Sequence, residues 1–468
     1  MRIRLINSPI RLNAPPNCIP YGLATIASTL RNAGRAVEVL DLNALRPSEA
    51  ETERLVREGE WDIIGLSGLI TTYGFQKKIA PVIREAHPHA FLISGGGLAT
   101  SVPQLVMEKI PLDAAVIGEG EITALELADA LTRGRDLTEV DGLVIPGSSQ
   151  GVRPLPSRSF IFDECKEYRD SLASDPLGLR FNAPRENIDD LDTVPFPAWD
   201  LLPMETYIRN PIWGARAANS SDFPPGVPNE RSMNIISSRG CPCDCKFCYH
   251  LFGRGKYRFR SAENIISEIR LLVERYGIQF IGFIDDNFMA SRSRAFRFCE
   301  LIRKEPYKIW WGCHGRVDAA EPELLAKMRE AGCVWIGYGI ESGSPRILKA
   351  MNKGVTVEKA EAAILATRRA GIFANTTFIY GWPGEDADTA RKTAEFKRRL
   401  GITAGSFFAT PYPGTRLFED ARERIGNLES FVLRLGNATE FIVNLTDLSD
   451  EEFFALKEIH DGKIPQHQ

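Results

Sequence analysis

Cysteine is sparse in this chain, with nine among 468 residues. That excludes a disulfide scaffold and fits a reducing compartment. A strong charge of either sign is also missing. The formal net charge of −4 gives no electrostatic reason to expect nucleic acid or an anionic membrane as partner. No run approaches the ~18 consecutive apolar residues of a membrane span. The opening MRIRLINSPI lacks the apolar stretch and small-residue cleavage site of a signal peptide, and reads as a strand. These absences predict a cytoplasmic protein with no membrane span and no nucleic-acid partner. The residues after that strand, NSPIRLNAPPNCIP at 7–20, lack the closely spaced glycines that cradle a pyrophosphate. A dinucleotide-binding Rossmann enzyme is therefore disfavoured.

What is present alternates. The length predicts two or three domains. Short apolar runs at 3–6, 36–40, 62–66, 90–94 and 113–117 are separated by helical patterns. Nearly continuous apolar runs of this length read as buried parallel strands. Between the first two lies YGLATIASTLRNAG, with Pro20 at its start and Gly34 at its end, where a helix tolerates proline and favours glycine. Residues 1–135 thus read as a five-stranded βαβ domain with helices on both faces. Ligands of such sheets bind beyond the carboxyl ends of the strands. Those ends carry Ser67, Gly68 and Thr71, then Gly95, Gly96 and Gly97, then Gly118, Glu119 and Gly120. One reading of each loop is a tight turn. Three such loops on one edge favour a large, flat or elongated ligand, because glycine admits close backbone approach.

Residues 136–230 are weakly periodic and rich in Pro, Asp, Ser and Gly, so they read as a connector, with a hairpin near 141–145. From 231 to 420 strand candidates recur at 233–237, 280–284, 309–313, 334–339, 374–380 and 405–409. The helix SAENIISEIRLLVERYG at 261–277 is bounded by Ser261 and Gly277, a cap and a stop. Six βα units predict a partial barrel, open where an eight-stranded one would close. Residues 421–468 read as a short extension with a capping helix, Asp447, Asp450, Glu451 and Glu452 leading into FFAL.

The densest chemistry is RGCPCDCKFCYH at 239–250, on the loop after the first barrel strand. Thiolates ligate both iron–sulfur clusters and structural zinc. Zinc would need a fourth ligand, which Cys243 or His250 could supply, but no second C-x-x-C pair lies nearby. The spacing of Cys241, Cys245 and Cys248, with Phe247 before the last, resembles the radical S-adenosylmethionine superfamily. IGYGIESGSPRILKAMNKG at 336–354, FIDDNF at 283–288, FIYGWPGE at 378–385 and PYPGT at 411–415 resemble its cobalamin-binding branch. So do PYGLATIASTLRNAG, DIIGLSG, GGG and GEGEIT near the N-terminus.

The resemblance implies a Rossmann-like cobalamin domain, a partial (β/α)6 barrel, and three cofactors: a 4Fe–4S cluster, S-adenosylmethionine and cobalamin. It puts the cluster on Cys241, Cys245 and Cys248, leaving one iron open for S-adenosylmethionine. Phe247, Glu341, Ser342, Tyr380 and Gly381 would contact that substrate, and the three glycine-bearing loops would hold cobalamin. The chain departs from one family pattern. It has no D-x-H-x-x-G, and no histidine precedes His87, so no lower-axial histidine is expected. Cys243 stays open between an incidental residue, an alternative ligand and a sulfur donor. Glu341 stays open between a cofactor contact and an ion pair, Asp285 and Asp286 between substrate and helix capping, and Arg316 between an anion and an ion pair. Tyr380 and Trp382 read as core or pocket wall, and Cys313 and His314 as structural.

The activity implied is methylation of an unactivated carbon of a small molecule by a 5′-deoxyadenosyl radical and methylcobalamin. A flavodoxin- or ferredoxin-like donor would supply electrons. Rearrangement, oxidative cyclisation and sulfur insertion are the alternatives within the branch, and a cofactor sensor without turnover is the alternative outside it.

Overall fold

The computed structural model describes residues 1–147, 178–211, 227–228, 230–253 and 255–462. The stretches 148–177 and 212–226 of the expected connector, and the chain end 463–468, lie outside the described residues. The chain forms two compact units. One comprises Met1–Tyr207, His250–Gly253 and Asn427–Leu435, the other Ile208–Tyr249, Arg254–Gly426 and Gly436–Gln468.

The first unit is built on β1 (Arg2–Asn7), β2 (Ala36–Asp41), β3 (Ile63–Ser67), β4 (Phe91–Gly95), β5 (Ala114–Val116), β6 (Leu143–Pro146) and β7 (Leu179–Phe181). Their order is β2-β1-β3-β4-β5-β6-β7. The first five pair in parallel, while β6 and β7 are antiparallel additions. The expected five-stranded sheet therefore has seven strands. Of the two extra strands, β6 (four residues) falls where a hairpin is expected near 141–145, whereas β7 (three residues) shows no periodicity. Helix Tyr21–Asn32 packs with Gly120–Arg133, whereas Glu49–Arg57 packs with Tyr73–Ala86. The order reverses direction between β2 and β3, and right-handed crossovers then place these two helix pairs on opposite faces. The core between sheet and helices includes Ile3, Leu5, Leu23, Ala27, Leu30, Ile93, Leu127 and Leu143. Part of the expected connector folds back here. Tyr207 donates to Asp41 at 2.7 Å, and Ala198 N donates to Ala24 O at 3.0 Å.

The second unit holds β8 (Ser232–Ile235), β11 (Phe280–Phe283), β12 (Trp310–Gly315), β13 (Cys333–Glu341), β14 (Phe373–Tyr380) and β15 (Ser406–Phe408). All pair in parallel in sequence order, and β8 and β15 are the two ends of the sheet. This is the open six-stranded barrel expected from the spacing. A two-stranded ribbon, β9 (Ser238–Arg239) with β10 (Arg258–Phe259), brackets the cysteine loop. Helix Ala262–Tyr276 starts on Ser261, whose Oγ accepts from Asn264 N at 3.1 Å, and ends on Gly277 at φ +62°. Along β14, Phe373, Asn375, Thr377 and Ile379 are half-buried while the residues between them are buried. That alternation separates one face from the helices packed on the other. The C-terminal helix Asp450–His460 carries a Ser449–Glu452 capping box and packs on helix Ala387–Arg399. Among the described residues no helix is long and apolar enough to cross a membrane.

Candidate functional site

The cysteine loop leaves the barrel at Gly240, which takes φ +81°. The end of β8 is pinned by Asp285. Its Oδ1 accepts from Ser237 N at 2.6 Å and Ser238 N at 3.2 Å, and its other oxygen accepts from Ser237 Oγ. Asp285 therefore serves the backbone of the loop's approach. The carboxyl of Asp286 beside it is surrounded by protein, and desolvation and then Asp285 lift it to about 6.

Four thiols lie on the loop in two hydrogen-bonded pairs, Cys241 with Cys243 and Cys245 with Cys248. The eight cysteines among the described residues are all free. No three His, Cys, Asp or Glu side chains among the described residues converge as a single-ion site. Two cations stand beside the thiols. Arg316 Nη1 lies 3.9 Å from Cys245 Sγ, and Arg316 Nη2 donates to Lys353 O at 3.0 Å. The Cys248 thiol, then Lys353 and Arg316, pull Cys245 down to about 6. In the same pairs Cys241 and Cys248 are pushed up; three thiols gathered on one loop with cations beside them are a donor set that fits a cluster.

Two other segments fasten the loop. Lys246 N donates to Met351 O at 3.0 Å, and Asn352 Nδ2 to Asp244 O at 2.6 Å. On the other side Leu417 N donates to Lys246 O at 3.0 Å, and Arg416 pairs with Asp244 at 2.7 Å. Gly414, at φ +90°, lies against the Tyr249 ring, where a Cβ would come within 2.6 Å. Phe247 packs edge-on to Trp382 with centroids 6.2 Å apart. Trp382 is thus a wall residue, as expected.

Glu341 ends β13 in a left-handed conformation, φ +68°. Its Oε1 accepts from Lys353 Nζ at 2.8 Å, which is the ion pair its position left open. The pair lies across Gly339, where a Cβ would overlap the carboxylate. The same device recurs nearby. A Cβ on Gly337 would strike the His314 ring, and one on Gly312 the Trp335 indole. Burial lowers His314 to about 4, so it is neutral. Arg316 also meets Asp318 at 3.2 Å.

Three expected contact residues turn elsewhere. Ser342 is fully buried with its Oγ 3.2 Å from Thr393 Oγ1. The Tyr380 hydroxyl donates to Phe453 O at 2.6 Å in the C-terminal helix. Gly381, at φ +87°, donates its N–H to Glu385 Oε2 at 2.8 Å, so its backbone shapes the loop. Cys313 is buried. Asn352 and Lys353 lie at the end of the family-like segment 336–354, which singled out neither of them. The Asn-Lys-Gly turn there sets Asn352 at φ +53° and Gly354 at +72°.

In the first unit the loops after β3 and β4 touch. Leu98 N donates to Gly68 O at 3.1 Å, and a Cβ on Gly96, φ +81°, would come within 3.0 Å of that oxygen. A Cβ on Gly68 would overlap Thr72 Oγ1. Ser67, Gly95, Gly97 and Gly118 are part-exposed and Thr71 is exposed, giving an edge of bare backbone. Beneath it Gln76, fully buried, accepts from Ser94 Oγ at 2.7 Å. Glu119 and Gly120 turn inward. Glu119 accepts from Ile188 N at 2.7 Å, and Gly120 admits Ile26, whose Cδ1 would lie 2.8 Å from a Cβ there. Such an edge fits a wide planar ligand approached by main chain.

Comparison with known proteins decides the family. The B12 binding domain matches residues 7–128 and the Radical SAM superfamily residues 235–396. The uncharacterized methyltransferase PH0819 of Pyrococcus horikoshii is 32% identical over 405 residues, covering 86% of this chain and 78% of that one. The chain belongs to the cobalamin-dependent radical S-adenosylmethionine methyltransferase family. It is an enzyme, and its cofactors are a 4Fe–4S cluster, S-adenosylmethionine and cobalamin. The anaerobic magnesium-protoporphyrin IX monomethyl ester cyclase of Rubrivivax gelatinosus is 26% identical over 422 residues, covering 88% of this chain and 67% of that one. The fold matches that of the radical S-adenosylmethionine methyltransferase TsrM from Kitasatospora setae, solved with its tryptophan substrate and an S-adenosylmethionine analogue. The TM-score is 0.66 at 21% identity, covering 91% of this chain and 76% of that one.

Proposed function

We propose that this enzyme methylates an unactivated carbon of a small molecule, drawn from natural-product intermediates, tetrapyrroles or lipids. The observation that carries the reading is the thiol loop at the carboxyl end of the first barrel strand, with Arg316 3.9 Å from Cys245, in a chain that also has a B12 binding domain. Cys241, Cys245 and Cys248 are its cluster ligands. When bound, the cluster and S-adenosylmethionine supply hydrogen abstraction and cobalamin supplies the methyl group.

The chain's own residues orient these groups. Phe247 and the backbone at Gly381 border the adenine, and Glu341 offers Oε2 to a ribose hydroxyl or the amino group. Ser342, Tyr380 and Trp382 stiffen that wall. Ser67, Gly68, Thr71, Gly95, Gly96, Gly97 and Gly118 accommodate the corrin and its detached tail, supported by Glu119 and Gly120. Electrons come from an external one-electron donor of the flavodoxin or ferredoxin class.

The test is an anaerobic reaction on extracts, with mass spectrometry scanning for a methyl-sized gain. A methylated product with two equivalents of cleaved S-adenosylmethionine supports the reading. Similarity to a cyclase favours, as second reading, a rearrangement or cyclisation without methyl transfer. An unmethylated, rearranged product would establish it and sink the first.

A further inference from the structure

Lys353 is buried near the end of the family-like segment 336–354, and two left-handed residues and a glycine frame it. Glu341 takes φ +68° to present Oε1 at 2.8 Å from Lys353 Nζ. Gly339 lacks the Cβ that would overlap that carboxylate. Asn352 takes φ +53° and donates to Asp244 O at 2.6 Å, while Met351 O accepts from Lys246 N at 3.0 Å. Both anchor points, Asp244 and Lys246, flank Cys245. Left-handed conformations at non-glycine residues are costly and persist where surroundings enforce them. Lys353 Nζ also lies 5.5 Å from the centroid of the Phe247 ring. Its carbonyl receives Arg316 Nη2 at 3.0 Å, and Arg316 Nη1 reaches Cys245 Sγ at 3.9 Å. A single connected unit thus delivers two cations to the thiol loop.

We propose that Arg316 and Lys353 form a cationic clamp on Cys245 that raises the reduction potential of the cluster, with Lys353 as a positioning residue held by Glu341. This rests on the reading of Cys241, Cys245 and Cys248 as cluster ligands. Each electron taken from a one-electron donor adds negative charge to the cluster and its thiolates. Hydrogen bonds to ligand sulfur and nearby positive charge favour the reduced state over the oxidised one. Loss of either cation therefore makes the cluster harder to reduce, without removing a ligand.

The experiment is an anaerobic redox titration of the full-length, cluster-reconstituted protein. It is followed by the electron paramagnetic resonance of the reduced cluster, with no S-adenosylmethionine present. Lys353→Gln and Arg316→Gln each lower the ratio of reduced to oxidised cluster about tenfold at fixed potential, a midpoint shift of about 59 mV for one electron. Lys353→Arg and Arg316→Lys restore most of it. Arg292→Gln, in an exposed ion pair with Glu321 and Glu323, leaves the midpoint unchanged.

Iron and sulfide contents separate this test from the underlying reading. If the wild-type protein takes up no cluster, the ligand assignment fails. If Lys353→Gln or Arg316→Gln loads its cluster with an unaltered midpoint, the clamp is overturned while the assignment stands. If Lys353→Gln loads no cluster, Arg316→Gln alone decides by the same criterion.

Discussion

Gly68 and Gly96 in the first unit, and Gly337 and Gly339 in the second, all lie at or near the carboxyl ends of parallel strands. They do different work there. Around Gly68 and Gly96 the main chains of two loops meet, with Leu98 N 3.1 Å from Gly68 O, and the edge left open is peptide backbone. Gly337 and Gly339 lie within β13 and give up their own side-chain volume to His314 and to the Glu341–Lys353 pair. One edge can receive a broad ligand by shape. The other presents thiols, cations and carboxylates in fixed positions. A glycine after a strand therefore does not name its purpose until its neighbours are known.

The strongest way to break this comparison is to remove the side chains that define the barrel edge. Cys241→Ala, Cys245→Ala or Cys248→Ala abolishes the cluster and with it 5′-deoxyadenosine formation, read by iron and sulfide content and by chromatography. Cobalamin retention is unchanged, because the B12 binding domain match lies at 7–128.

The glycines come next, and they exchange roles cleanly. Gly68→Ala overlaps Thr72 Oγ1 and weakens cobalamin binding about tenfold, ~1.4 kcal/mol, with no change in cluster content. Gly339→Ala displaces Glu341 from Lys353 and costs about 1–3 kcal/mol of stability by overpacking. It weakens S-adenosylmethionine binding and spares cobalamin. Equilibrium binding of both cofactors and denaturant midpoints check the pair. Loss of both cofactors in either variant would erase the distinction.

A smaller effect is expected behind the barrel edge. Burial lifts the Glu385 carboxyl to about 7, against the backbone N–H groups of Gly381 and Trp382, which lower it. Asp386, Arg346 and His460 also face it. The raised value means the folded state holds a proton that the unfolded chain releases. The associated stability is full below the unfolded pKa of ~4.3 and is lost as pH rises through the folded value. Glu385→Gln removes that slope. From pH 5 to pH 8 the wild-type protein loses about 2 kcal/mol more than the variant, read from urea midpoints. His460, lowered to about 4 by burial, titrates in the opposite sense and lies 3.6 Å from Glu385, so the two proteins are compared in a His460→Gln background. The smallest effect belongs to Cys243→Ala. It breaks the contact with Cys241 but leaves the cluster content unchanged. Loss of iron there would make Cys243 a ligand.

Much of this was legible in the sequence because it is local. The apolar runs and their spacing determined two sets of parallel strands, the six-stranded open barrel, and helix ends such as Ser261 and Gly277. The cysteine spacing, with the segments after each barrel strand, determined the family and its three cofactors. Other features were decided only by tertiary structure, since each depends on residues far apart in the chain. β7 is too short to show periodicity, and it joins the sheet because β6, paired with β5, offers it an edge. Ser342, Tyr380, Glu119 and Gly120 stand beside the expected loops, but their hydrogen bonds and contacts go to Thr393, Phe453, Ile188 and Ile26. Lys353 lies within the family-like segment 336–354, which does not say what its ammonium meets. It reaches the thiol loop because a left-handed turn at Asn352, the pairing with Glu341 and the missing Cβ of Gly339 coincide in space. Spacing along a chain reports which residues can share a loop or a face. Which charge stands beside which sulfur is fixed by packing between segments about a hundred residues apart, such as Asn352 and Asp244.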